Sequence, residues 1–149
     1  MHKTLSTILI IFVGFVFSSL VYLLIGFILS KSHWQAVLHS SGVVEVLFAA
    51  FIVVSVVLMG VVVKRKQSAF SQDMPRPASL EQLQRYAVSR SIVLFALSEI
   101  PAIFGLVYFL LAGKFYHMVL FCELSLFCFA FVRPSQAALE ELQHRYGFQ

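Results

Sequence analysis

The sequence predicts an all-α membrane protein with four transmembrane helices, arranged as two antiparallel hairpins, plus amphipathic helices on the cytoplasmic side. Three observations predict it. The chain of 149 residues is 60% hydrophobic and only 12% charged, where a soluble domain is near half apolar with about a quarter of its residues charged. The apolar residues gather into four runs, and a helix needs roughly 20 such residues to cross the hydrocarbon. The runs are continuous, which argues against a β-barrel, whose strands alternate. Composition argues equally against a water-soluble enzyme.

The first run extends from Leu5 to Leu29 and carries no charge. Its opening, "MHKTLSTILI", begins like a signal peptide, but the apolar run is too long and lacks a small-residue cleavage site, so an uncleaved anchor is expected. The second run, Gly42 to Val63, has Glu45 a few residues inside its outer end. The third, Ser91 to Ala112, contains Glu99 and Pro101. The fourth and shortest, Tyr116 to Val132, contains Glu123 and stops at Arg133-Pro134. Together they read as one domain over residues 1–149, with extramembrane segments 64–90 and 133–149.

Lys and Arg set the orientation. Lys3, Lys64, Arg65, Lys66, Arg76, Arg85, Arg90, Arg133 and Arg145 fall on one side of a four-span topology, and only Lys31 and Lys114 on the other. The positive-inside rule puts both termini and the central connection in the cytoplasm of an inner-membrane protein. The net charge of +4 is mostly this asymmetry. Because the basic residues hug helix ends, no nucleic-acid partner is expected. The partners expected are the lipid bilayer and other membrane subunits or copies of the chain.

Two segments on that side resemble each other, "RPASLEQLQRYA" from Arg76 and "RPSQAALEELQHRYG" from Arg133. Each is predicted helical over Ser79–Tyr86 and Ala137–Tyr146. Ser79 with Gln82 makes a capping box, and Leu80, Leu83, Leu139 and Leu142 supply an apolar stripe to lie on headgroups, on the bundle or on a partner. Glu81 and Arg85 are spaced as an i, i+4 pair. Within the spans, "SLVYLLIGF" and "GLVYFLLAG" echo one another, so a duplicated design is one reading of the chain.

The acidic residues carry the functional question. At 1.5 Å per residue, Glu99 lies about 13 Å beyond Arg90 and Glu123 about 15 Å before Arg133, both near the midplane. A carboxyl at that depth costs at least a few kcal/mol. Protonation, a place inside the bundle, or a donor lowers the cost. No Lys, Arg or His of the chain lies at that depth. Two carboxyls in one layer could share a proton and titrate as a unit. Glu99 and Glu123 are therefore the candidate proton- or cation-binding residues, with polar glue between helices as the alternative role. Glu45 is close enough to the interface to reach it.

Around Glu99 the third run has small residues at intervals of seven, Ser91, Ser98, Gly105 and Ala112. Such residues let membrane helices approach closely, and Ser98 and Gly105 are expected to face another helix. Pro101 donates no N–H, which frees the carbonyl of Leu97. The stretch "ALSEIPAIFGLVYFLL" resembles the ion-binding helix of the proteolipid (c) subunits of rotary ATP synthases, over one helix of the four. The resemblance implies that Glu99 corresponds to the ion-carrying carboxylate and that the second and third runs form the matching hairpin. The chain departs from that family in lacking closely spaced glycines in its second run and in its long central connection.

Cys122 and Cys128 share one run, six residues apart. They are read as facing different sides, unable to bridge one another, and as small apolar fillers. There is no Walker loop, HExxH or GxSxG. His2, His33, His39, His117 and His144 sit outside or at the edges of the runs, and with Trp34 and Tyr116 those on the outer side read as interfacial residues. No metal, cofactor or catalytic residue is expected. The sequence points to a non-enzymatic oligomeric or complex-embedded membrane subunit with an ion- or proton-binding carboxyl. The alternative is a structural or assembly subunit.

Overall fold

The computed structural model describes residues 2–32, 36–38, 40–69, 77 and 79–147. It is all-helical over α1 (His2–Lys31), α2 (Ser41–Ala69), α3 (Leu80–Ala112), α4 (Phe115–Val132) and α5 (Gln136–Tyr146). Among the described residues, α1 to α4 are each long and apolar enough to cross a membrane.

α3 and α4 form the centre. Ser98 meets Ser125, Gly105 meets Met118 and Phe121, and Tyr108 meets His117. As one residue number rises the other falls, so the two helices run in opposite directions. Their close approach is set at Gly105, where an added Cβ would stand 2.7 Å from Cβ of Phe121 and 3.0 Å from the Met118 carbonyl oxygen. The turn between them needs only Gly113 and Lys114. Gly113 adopts φ 70°, and its N–H closes α3 on the Phe109 carbonyl at 2.7 Å. This is the left-handed C-terminal cap that glycine adopts without steric cost.

α1 and α2 flank this pair instead of pairing with each other. Phe12 and Phe15 of α1 pack on Phe95 and Phe129, and Gly26 lies against Met118. Phe48 and Phe51 of α2 pack on Phe104, Tyr108 and Phe121. Contacts of both helices go to α3 and α4, with little between α1 and α2 themselves. This departs from the first of the two expected hairpins. Chain adjacency favours pairing only across short connections, and nine residues separate α1 from α2, enough to set α2 down on the far side of α3 and α4.

The helix ends follow local chemistry. Ser79, in extended conformation, accepts the N–H of Gln82 at 3.2 Å and starts α3, as an N-cap serine should. From there α3 runs unbroken for 33 residues, about 50 Å. The expected short helix 79–86 is thus the first turns of α3 and not a separate element, because no Gly or Pro stands between Leu80 and the apolar run. Leu83 is buried but Leu80 is exposed, so only half of the expected stripe packs inward. Glu81 and Arg85 form their i, i+4 pair at 2.8 Å, both well exposed.

α4 stops because Arg133 precedes Pro134 and takes ψ 128°, away from the helical region. The Lys66 ammonium donates to the Phe131 carbonyl, a cation on the negative end of α4. In α5, Gln136 donates to Glu140 at 2.7 Å. The Leu139 and Leu142 side chains lie outside the described residues, as do Arg76, His33, Trp34 and His39.

Two apolar clusters fill the bundle. One contains Ile8, Val62, Leu94, Phe95, Phe129 and Val132. The other contains Ala102, Phe109, Met118 and Cys122. Between them lies a layer rich in hydroxyls, and Glu99 belongs to it.

Candidate functional site

Glu99 projects from α3 toward α1 and is half-buried. Two hydroxyls of α1, on Ser18 and Tyr22, reach the same oxygen, Glu99 Oε1; Tyr22 donates to it at 2.9 Å. These donors stand four residues apart, one helical turn, on one face of α1. Ser18 also lies 2.8 Å from the Phe15 carbonyl. A serine hydroxyl has one hydrogen, so Ser18 can serve Glu99 or Phe15, not both.

That single hydrogen lets the cluster accept either charge state. With Glu99 ionised, Ser18 and Tyr22 both donate to its carboxylate. With Glu99 protonated at Oε1, the carboxyl donates to Ser18, and Ser18 turns its own hydrogen to the Phe15 carbonyl. Neither state leaves a new unpaired group at Ser18, which matters where unsatisfied polar atoms are costly.

A second set of hydroxyls joins the helices beside it. Ser125 of α4 donates to the Ser98 carbonyl at 2.7 Å, Ser98 donates to Leu94 at 2.8 Å, and Ser19 of α1 lies 3.4 Å from Ser125. Ser19, Ser98 and Ser125 are fully buried. The Pro101 ring lies buried one turn on from Ser98. The sequence directed attention to the Leu97 carbonyl; the carbonyl that receives the inter-helix hydroxyl is its neighbour, Ser98. Of the spaced small residues, Ser98 and Gly105 are buried against α4, whereas Ser91 and Ala112 are half-buried, and Ser91 donates to Ala87 of its own helix.

Glu123 is placed differently. It is exposed on the outer side of α4, while Glu99 faces α1. The two carboxyls of one chain therefore do not meet, and the option of a proton shared between them is not supported by this arrangement. They lie at similar depth on different helices, but Glu123 points away from the bundle. Glu45 is exposed near the start of α2.

His117 is more than an interfacial residue. It is half-buried, its ring stacked on Phe48 at 4.2 Å, and Nδ1 lies 3.2 Å from the Tyr108 hydroxyl. Tyr116 beside it is exposed. Cys122 and Cys128 are free thiols, both buried. Six residues of helix set them roughly 120° apart around α4, and both directions are covered by neighbouring helices. Among the described residues no group of His, Cys, Asp and Glu is arranged to hold a metal ion.

Ser18 and Tyr22 were not singled out by sequence. The signal was available in "SSLVYLL": polar residues inside a membrane span turn toward the bundle, where they find partners. No family model, curated protein or solved structure matches the chain.

Proposed function

We propose that this chain is a small multi-pass inner-membrane subunit, non-enzymatic by itself, whose Glu99 binds and releases a proton or small cation near the membrane midplane. Its termini lie in the cytoplasm, and it works with copies of itself or inside a larger membrane complex. The observation that carries the reading is the Ser18 hydroxyl, which has one hydrogen and two acceptors within reach, Glu99 and Phe15. A carboxyl whose neighbours rearrange by one hydroxyl rotation can change charge without disturbing the helices. Tyr22 supplies a donor that serves both states. The resemblance of residues 96–111 to the ion-binding helix of rotary ATP synthase proteolipids points to the same carboxylate.

A second reading has its own support. The serine chain Ser19, Ser125 and Ser98 serves to join α1, α3 and α4, and Glu99 bonded to Ser18 and Tyr22 joins α1 to α3 in the same manner. On that reading the protein is an assembly or structural subunit.

Infrared difference spectroscopy separates them. Wild type and Glu99→Gln are compared in lipid while pH or cation concentration is changed. The site reading expects a carboxyl band that responds and is absent in Glu99→Gln, with helix content unchanged. A Glu99 band that never changes state moves the reading to the structural subunit.

A further inference from the structure

The outer face of α4 presents a problem that the chain does not solve internally. Glu123 is the ninth of the 18 residues of α4, so it sits at the middle of the span. It is exposed, and among the described residues nothing bonds to it. Its neighbours on that face are Tyr116 and Ala130, seven residues to either side, with half-buried Leu120 and exposed Phe127 between them. Spacing of seven filled in at three or four is the heptad pattern of helices that cross at small angles, in membranes as in water. Phe127 and Phe131 pack edge to face at 4.8 Å and form a ridge beside it.

We infer that the occupant of this face is a second copy of the chain, related by a two-fold axis along the membrane normal, with α4 packed on its symmetry mate and Glu123 meeting the partner's Glu123. Two copies inserted in one orientation and related by such an axis hold every residue level with its counterpart. The mid-span carboxyl therefore meets its own kind at the depth where it most needs a partner. An isologous contact requires a self-complementary surface, and a carboxylic acid provides one, its O–H donating to the other's C=O and accepting in return. A head-to-tail contact is less well served. No Lys, Arg or His lies at that depth, and Glu99 Oε1 is already engaged by Ser18 and Tyr22. The inference does not depend on whether Glu99 exchanges a proton, since it uses only the fact that Oε1 is hydrogen-bonded.

The test uses the full chain purified in mild detergent and studied by native mass spectrometry. The expected mass is twice 16.8 kDa. Glu123→Gln, which keeps a self-complementary amide, retains the dimer. Glu123→Leu, which adds an apolar group to an exposed position, keeps its helix content and loses at least tenfold in dimer affinity. In membranes, Phe127→Cys cross-links to its copy under mild oxidation, and Val13→Cys on the outer face of α1 does not. A single-chain mass for wild type overturns the inference. So does an unweakened dimer in Glu123→Leu, or cross-linking at Val13→Cys in place of Phe127→Cys. Infrared results on Glu99 bear on none of these outcomes.

Discussion

Gly105→Ala places one methyl where α3 and α4 come closest. The new Cβ would stand 2.7 Å from Cβ of Phe121 and 3.0 Å from the Met118 carbonyl oxygen. Carbon atoms pack best at about 3.5–4.0 Å, so the first contact is about 1 Å too short. Neither neighbour can swing aside, because one is the β-carbon that ties a buried ring to its helix and the other is backbone. The helices must separate, and overpacking of this kind costs about 1–3 kcal/mol. Alanine also favours helix over glycine by up to about 1 kcal/mol, which would mask part of the cost. Gly14→Ala is the control, since an added Cβ there meets nothing within 4 Å. The propensity gain is common to both, so the difference between the variants reports the packing alone. Reversible unfolding in mixed micelles, followed by circular dichroism, should place Gly105→Ala about 1–3 kcal/mol below Gly14→Ala, roughly 5- to 150-fold in the unfolding constant. Gly105→Leu should fall further. Equal stability for Gly105→Ala and Gly14→Ala would refute the close-packed α3–α4 seam.

Other substitutions probe separate parts of the molecule. Ser125→Ala removes the hydroxyl that serves the Ser98 carbonyl and should cost about 1 kcal/mol in the same assay, within the range measured for hydrogen bonds between membrane helices; an unchanged value would mean that the carbonyl is served otherwise. Gly113→Ala forces a side chain into the left-handed region, at about 1–2 kcal/mol, and against Cβ of Ala36 at 3.1 Å; its melting should drop accordingly. Tyr22→Phe removes a donor from Glu99 while keeping the ring, so it should shift the frequency of the Glu99 carboxyl infrared band and leave helix content intact; an unmoved band would mean that Tyr22 does not serve Glu99. Lys114→Cys should react with an impermeant thiol reagent added outside intact cells, and labelling only after permeabilisation would reverse the assigned orientation.

The fold class was legible because continuous apolar runs have few solutions in a chain with so little charge. The bounds of α3 were less so. Residues 80–90 and 91–112 both have helical character, and composition changes at Arg90 while hydrogen bonding does not. The neighbours of α1 were misjudged because adjacency in sequence stood in for adjacency in space. Glu99 stood out as a carboxyl in an apolar run, but its donors did not, since Ser18 and Tyr22 are 81 and 77 residues away and no pattern links them. The outward direction of Glu123 was hidden for a different reason. α4 is apolar all round, with Phe, Leu and Cys on every side, so no amphipathic stripe marks which face is covered.

Hydrophobic carbodiimide labelling tests the Glu99 site most directly. These reagents partition into lipid and modify protonated carboxyls there. Applied to the protein in bilayers near neutral pH, with the modified residue located by mass spectrometry, the reagent should label Glu99. Labelling should fall as pH rises or a competing cation is added, and should vanish in Glu99→Gln. A Glu99 that stays unlabelled across the pH range, or is labelled to the same extent at every pH and cation concentration, contradicts an exchangeable site and leaves the carboxyl as a structural link between α1 and α3.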